Sequence, residues 1–393
     1  MWWLSFVLHE ISFGFLSVFI PLYIMALGGS LAHIGLIFAV AIFLSIPASF
    51  LWGYLCNKRR RYKSYILLSF LFLVIILYAF TLTTSIGLLG ALYSIMAFFH
   101  MAHEPPKNVL IAENYMRRFW ERSYAFYEGV TEIGWLIGIL VGLYASVQEL
   151  ITSHILLICS ILNFAALVSS IFLIKDPTFI FERGLVKVER SILCAYRGLA
   201  ASLRAMNGAD HISVEPENST RRFCFGLIAF FTATKMLFIP LPIFFLKELA
   251  LQQSMVYALF CISTTGSLIG YFLLLKLRYT GTKTLYKVSG VRCALTLSLI
   301  AIKGGISGYG VIIPLTLVLF LLGLAHAIFH ILSLSISMEL LPENMVGMFN
   351  VVTGLGEAFG SLMGPMIAEK LGFTGLFLIT GLVFFTACMI LKR

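Results

Sequence analysis

The sequence predicts an all-α membrane protein of twelve transmembrane helices, arranged as two pseudo-symmetric six-helix halves. Three observations carry that reading. The 393-residue chain is 60% hydrophobic and only 12% charged, with a mean hydropathy of +0.97, which excludes an ordinary soluble globule. Apolar runs recur from end to end, most of them long enough to cross a hydrocarbon core of ~30 Å, which takes about 20 helical residues. The chain also repeats itself. Gly129-Val-Thr-Glu132 through Gly138 returns as Gly354-Leu-Gly-Glu357 through Gly364, with both the first glycines and the glutamates 225 positions apart. His100 and Glu104 answer to His326 and His330 at an offset of 226, and Phe19-Ile-Pro21-Leu to Phe238-Ile-Pro240-Leu at 219.

The runs do not alternate as barrel strands would, so each is read as a helix. The first, α1 (2–26), carries His9, Glu10 and Pro21; it lacks a basic leader and exceeds a cleaved signal's apolar core. α2 (31–56) runs into the basic stretch Lys58–Arg61, and α3 (64–84) has no acid or base in its middle. α4 (86–112) holds His100, His103 and Glu104, and then Pro105-Pro106, which is expected to break it and free backbone carbonyls beside a cavity. α5 (122–147) carries Glu132 among glycines, and α6 (152–174) only His154. Residues 177–220 form a linker that separates a first half (1–176) from a second (221–393). Within it, the apolar positions of 181–206 recur at helical spacing among arginines and lysines, predicting a basic amphipathic helix on the membrane surface. The polar stretch 207–220 then reads as a flexible connector.

α7 (222–246) carries Lys235 and Pro240, whose match to Pro21 predicts paired kinks, while α8 (252–277) is uncharged in its middle. In α9 (287–304) Arg292 and Lys303 are read as close enough to the ends to snorkel. α10 (308–339) carries His326 and His330, α11 (346–368) Glu357, and α12 (373–391) no charge in its middle.

The net charge of +10 is a matter of topology. With the N-terminus inside, the inner loops and termini hold 22 lysines and arginines and the outer loops three. That asymmetry orients membrane proteins, so no nucleic-acid partner is implied. It predicts a multi-pass protein of the cytoplasmic membrane, with both termini and the linker cytoplasmic. A cysteine introduced by Ser213→Cys should therefore resist an impermeant thiol reagent on intact cells; labelling at the rate of an outer-loop control would reverse the orientation. The seven cysteines contain no CxxC pair and imply neither disulfides nor zinc. No cofactor and no resident metal are expected, and the chain is expected to act as a monomer.

The α2–α3 loop, Gly53-Tyr-Leu-Cys-Asn57-Lys58-Arg59-Arg60-Arg61, resembles the G-x-L-x-D-R/K-x-G-R/K-R/K motif of major facilitator superfamily transporters. Gly53, Asn57, Lys58 and Arg61 are its matching positions, with Asn57 in place of Asp and Arg60 in place of Gly. The α8–α9 loop, with Gly270, Arg278, Gly281 and Lys283, is a weaker copy. In α5, Gly134-Trp135 stands where drug antiporters of the family show Gly-Pro, so their signature is incomplete. The resemblance implies the superfamily fold, in which helices 1, 4, 7 and 10 line the central cavity and helices 5 and 11 flank it.

A charge at the bilayer centre costs at least ~2.5–3.5 kcal/mol on insertion scales, so each needs a reason. The deep set is His9, Glu10, His100, His103, Glu104, Glu132, Lys235, His326, His330 and Glu357. Glu10, Glu132 and Glu357 are read as proton carriers, and His9, His100, His103, Glu104, Lys235, His326 and His330 as substrate contacts. His100 with Glu104, and His326 with His330, fall on one helical stripe at i and i+4. Glu128, nearer the end of α5, is read as solvated or Arg-paired. Gly129, Gly138, Gly354 and Gly364 are read as helix-packing positions, and Gly138→Leu or Gly364→Leu is expected to stop movement between the halves in a folded protein.

Internal duplication with polar groups at matching depth marks a secondary active transporter working by alternating access. Histidines with an unperturbed pKa near 6.5, and glutamates, make protons the expected coupling ion and a small organic solute the expected substrate. No G-x-x-x-x-G-K-S/T loop is present to drive an ATP pump. A lipid or amphiphile carrier of the same fold is one alternative. The other is a membrane His-box metalloenzyme, for which the clustered histidines are about half too few.

Overall fold

The computed structural model describes residues 2–59, 61–114, 120–150, 152–176, 215–276, 282–305, 308–340 and 346–392. The linker segment assigned to an amphipathic helix lies outside them. The first spans are α1 (Trp3–Ala26), α2 (Leu31–Arg59), α3 (Tyr62–Thr81), α4 (Ile86–His100, resuming at Glu104–Asn114), α5 (Trp120–Val147) and α6 (Thr152–Leu173). The later ones are α7 (Glu215–Phe238, resuming at Leu241), α8 (Gln253–Lys276), α9 (Thr282–Gly305) and α10 (Ile312–Leu340). A final helical stretch, Val346–Lys392, is two helices joined across Gly372, whose φ of 70° no helix contains. Its arms are α11 and α12, completing twelve spans. Ile313 is 78% and Phe172 75% exposed; side chains this apolar and this bare belong against lipid.

Helix pairing in one half is repeated in the other. α1 packs on α5 as α7 packs on α11; α2 on α4 as α8 on α10; α3 on α6 as α9 on α12. The halves meet along two further seams, α2 with α11 and α5 with α8, which the same symmetry exchanges. Lipid tails are as apolar as leucine, so hydrophobicity cannot drive these contacts; close approach at small residues can. A Cβ on Gly134 would overlap the Val7 carbonyl oxygen and one on Gly138 the Ile11 carbonyl oxygen, so α5 rides directly on the α1 backbone. Gly356, Gly360 and Gly364 do the same against Ile228, Thr232 and Met236 of α7. Gly138 and Gly364 are therefore packing positions within each half, not at the interface between the halves where they were expected to act. Gly129, facing Tyr271 and Phe272, and Gly354, facing Ile46, are the ones on the seams.

At the end that carries the α1–α2 and α7–α8 loops the halves also close over one another. α1 touches the Leu241–Ile243 segment of α7, Phe15 stacks on Tyr257 with centroids 6.3 Å apart, and the Ala32 N–H donates to Glu369 Oε2 at 2.6 Å.

Three local expectations are corrected. α4 does break, but at Met101–His103, ahead of the proline pair. Pro105 and Pro106 occupy the first turn of the resumed helix, where a missing N–H costs nothing, and the Lys107 N–H makes the first bond back, to the His103 carbonyl at 3.0 Å. The break puts His100 and Glu104 on separate segments, so they share no stripe. The paired kinks are unequal: Pro21 sits inside an unbroken α1, whereas α7 is interrupted at Pro240 and continues through a π-helical turn, Phe244–Glu248.

Candidate functional site

A cavity of about 390 Å³ lies between the halves. Four predicted residues line it: Glu132 from α5, Lys235 from α7, His326 from α10 and Glu357 from α11. Its walls are aromatic, with Phe13, Tyr93, Trp135, Phe238 and Tyr271 among them. The glycine stripe of α11 brings Glu357 to Lys235, and Lys235 Nζ stands 3.6 Å from Glu357 Oε2, the side chains 34% and 28% exposed. A pair this long and this open contributes little stability and can part for a ligand. Glu132 comes from the other half, beside Ser267 of α8.

The remaining predicted residues of the first half gather behind that cavity, in a network on α1, α3, α4 and α6. His9 is fully buried; its Nδ1 lies 2.7 Å from Asn163 Oδ1 and its Nε2 3.2 Å from His100 Nδ1. Asn163 Nδ2 donates to Ser12 Oγ at 2.7 Å and to the Cys159 carbonyl at 3.1 Å, which turns Oδ1 towards His9. His103, 1% exposed, meets Ser69 Oγ through Nδ1 at 3.1 Å, and its Nε2 lies 3.4 Å from Glu104 Oε1. Lys107 Nζ reaches both Glu104 oxygens at 2.6 Å and has Glu128 and Glu10 as further charged neighbours. Glu10, half-buried, packs against Gly134 of α5. The Phe13 ring, 4.5 Å from that of His100, lines the cavity and links it to this network.

In the second half the reading of Arg292 is overturned. It does not snorkel: it is 0% exposed at mid-helix. Its guanidinium carbon sits 4.9 Å from the Phe384 ring, 5.0 Å from Phe230 and 5.7 Å from Phe238, and Nη1 lies 3.2 Å from His326 Nδ1. An arginine can only donate, so His326 must accept at Nδ1 and carry its proton on Nε2. His326 and His330 do share a stripe, their rings stacked 6.1 Å apart, but His330 lies outside the cavity lining, 6.4 Å from the Tyr271 ring.

Of the loop motif, Gly53 abuts Pro105, Lys58 lies over the Tyr54 ring at 5.6 Å, and Arg61 opens α3; the side chain of Asn57 lies outside the described residues. Sequence reasoning passed over Lys107 and Asn163, misread Arg292 as snorkelling, and set Glu128 aside. Lys107 carried a readable signal, a charge inside an apolar run three residues from Glu104. Asn163 carried none, because a single amide in an apolar helix costs too little to stand out.

The Major Facilitator Superfamily profile matches residues 2–349. No curated protein matches by sequence. Among solved structures, the whole chain superposes on a protein from a study of substrate recognition in proton dependent oligopeptide transporters, with a TM-score of 0.76, 12% identity and 96% of that chain covered. It also superposes on a POT family transporter in complex with 5-aminolevulinic acid, at 0.73, 12% and 94%. The nucleoside transporter NupG follows at 0.65, 14% and 99%.

Proposed function

The chain belongs to the Major Facilitator Superfamily, and from that premise we propose that it moves a small organic zwitterion across the cytoplasmic membrane, driven by protons. As a member of that superfamily it is a secondary transporter and not an enzyme. The observation that carries the substrate class is the parted Lys235–Glu357 pair facing a roomy aromatic cavity. A solute with one carboxylate and one ammonium replaces each member of the pair with its own counter-charge, and Glu132 across the cavity tells the two orientations apart. The volume suits it, since small-molecule sites run from about 300 to 1,000 Å³. A thioalcohol conjugated peptide and 5-aminolevulinic acid are bound in two POT family neighbours, which supports the same size class here.

Two bodies, residues 1–176 and 221–393, rock about the α2–α11 and α5–α8 seams, in a monomer with both termini cytoplasmic. With that orientation the closed end is the outer one, and the cavity faces in. Glu132 and Glu357 occupy equivalent positions in the two halves and are the leading proton carriers, with Glu10 beside Lys107 as the third.

The test uses proteoliposomes carrying dipeptides and amino acids as solutes. Changing a proton carrier, by Glu10→Gln or Glu132→Gln, should abolish accumulation under an imposed pH gradient yet spare downhill exchange; Glu357→Gln, which also removes the ammonium's partner, should abolish accumulation and weaken exchange as well. Were all three variants to concentrate solute as the parent does, the coupling assignment would be wrong. A thermal-shift response to lipids or organic cations, with none to zwitterions, would overturn the substrate class.

A further inference from the structure

We propose that His9, His100 and His103 form a binding site for one divalent transition-metal ion of the zinc class, with the Glu104 carboxylate available as fourth ligand. One ligand nitrogen from each of the three rings lies within 4.8 Å of the other two. The shortest separations are those a metal needs. Tetrahedral zinc with bonds of about 2.0–2.1 Å holds its ligands roughly 3.3–3.4 Å apart. His9 Nε2 and His100 Nδ1 stand 3.2 Å apart, and His103 Nε2 and Glu104 Oε1 3.4 Å.

The surroundings prepare the imidazoles as ligands. Asn163, its amide orientation set by Ser12 and Cys159, presents an oxygen to His9 Nδ1, so that nitrogen must carry the proton and Nε2 keeps its lone pair towards His100. Ser69 engages His103 Nδ1, so that Nε2, beside Glu104 Oε1, is the nitrogen turned to ligate once it gives up its proton. Such partners fix tautomer and ring orientation in metal sites. Phe6, Phe13 and Phe70 pack on the rings, with centroids 5.6 Å from His103, 4.5 Å from His100 and 4.7 Å from His9 respectively, and keep the group dry. Nitrogen donors select zinc, copper, nickel or cobalt over magnesium and calcium. Glu104 joins by releasing Lys107, which keeps Glu10 and Glu128 as neighbours.

All three histidines belong to the first six helices, and His100 and His103 bracket the break in α4. The ion would pin that break to α1 without bridging the rocking halves, and because Phe13 rests on His100 and lines the cavity, occupancy would reach the cavity wall. The pair His326–His330 is the internal control: Arg292 places a fixed cation 3.2 Å from His326, which repels a second one.

The full-length protein, purified on a tag without histidines and stripped with a chelator, is titrated with cobalt(II) and then zinc. One equivalent of cobalt should bind with the intense visible absorption of tetrahedral cobalt. Zinc should displace it and raise the melting temperature. His100→Gln and His103→Gln should weaken binding roughly tenfold or more, while His326→Gln leaves it unchanged. The unmodified protein decides the matter even if a variant fails to fold: no stoichiometric cobalt spectrum overturns the site, as does equal binding by all three variants.

Discussion

Gly138→Leu is expected to cost the first six helices their fold. A Cβ at this position already overlaps the Ile11 carbonyl oxygen and stands 2.8 Å from the Phe15 nitrogen. Both are helix backbone, so no side chain can swing away. α5 must lift off α1, and Gly14 and Gly134, which make the same kind of contact along that line, lose theirs with it. Overpacking in a tight core costs about 1–3 kcal/mol and occasionally more; four added carbons against backbone put this case at the upper end. Gly364→Leu meets Met236 in the same way in the second half. Gly129→Ala is the contrast, since its new methyl finds only Phe272 and Tyr271 side-chain atoms at 3.4 Å, an ordinary contact, and it should melt as the parent does. Size-exclusion profiles and melting curves in detergent check all three. Parental melting by both leucine variants would mean that the α1–α5 and α7–α11 contacts open more readily than the backbone overlap allows.

Arg292→Met should lower transport about tenfold while leaving the protein as stable as before, or more so. Among the described residues the guanidinium has no carboxylate partner, and its Nε and Nη2 are buried without a hydrogen bond. Replacing a buried charge with an apolar side chain of similar size is often neutral or stabilising. What is lost is the donor that holds His326 at Nδ1 and fixes its proton on Nε2. A cavity histidine free to take either tautomer and to turn binds substrate less well, and about 1.4 kcal/mol of lost binding is tenfold. Arg292→Lys keeps a donor within reach and should recover part of the activity, which a merely space-filling role would not predict. A melting temperature well below that of the parent in Arg292→Met would show that the cation serves the packing of α9 instead.

The α9 arginine also shows where sequence reading stopped. Its position in the run was plain, but the assumption that a long side chain near a helix end escapes to water failed, because three phenylalanines from α7 and α12 close over it. In the α4 segment, Pro105-Pro106 announced an interruption and misplaced it by a turn, since prolines are as much at home at the start of a helix as at its breaking point. Glu132, Lys235, His326 and Glu357 were legible as deep polar groups on the helices that the family resemblance places around a cavity; His9, His100, His103 and Glu104 were equally legible as deep polar groups but were assigned to the same cavity, from which the structure sets them apart.

Composition and hydropathy were sufficient for the number of spans and their places, because in a bilayer every costly residue stands out against an apolar run and every span must reach a fixed length; the family was legible only through the resemblance of the Gly53–Arg61 loop motif. The 225-residue echo was sufficient for the two-fold plan. Which polar groups face one another was not legible there. That depends on how far each helix is turned about its axis and how closely it approaches its neighbour, and both are set by glycine-to-carbonyl contacts between segments distant in sequence, such as Gly138 with Ile11 and Gly364 with Met236. A rotation of one residue, about 100°, carries a histidine from the cavity into the helix interface behind it, and no local pattern in the chain records that rotation.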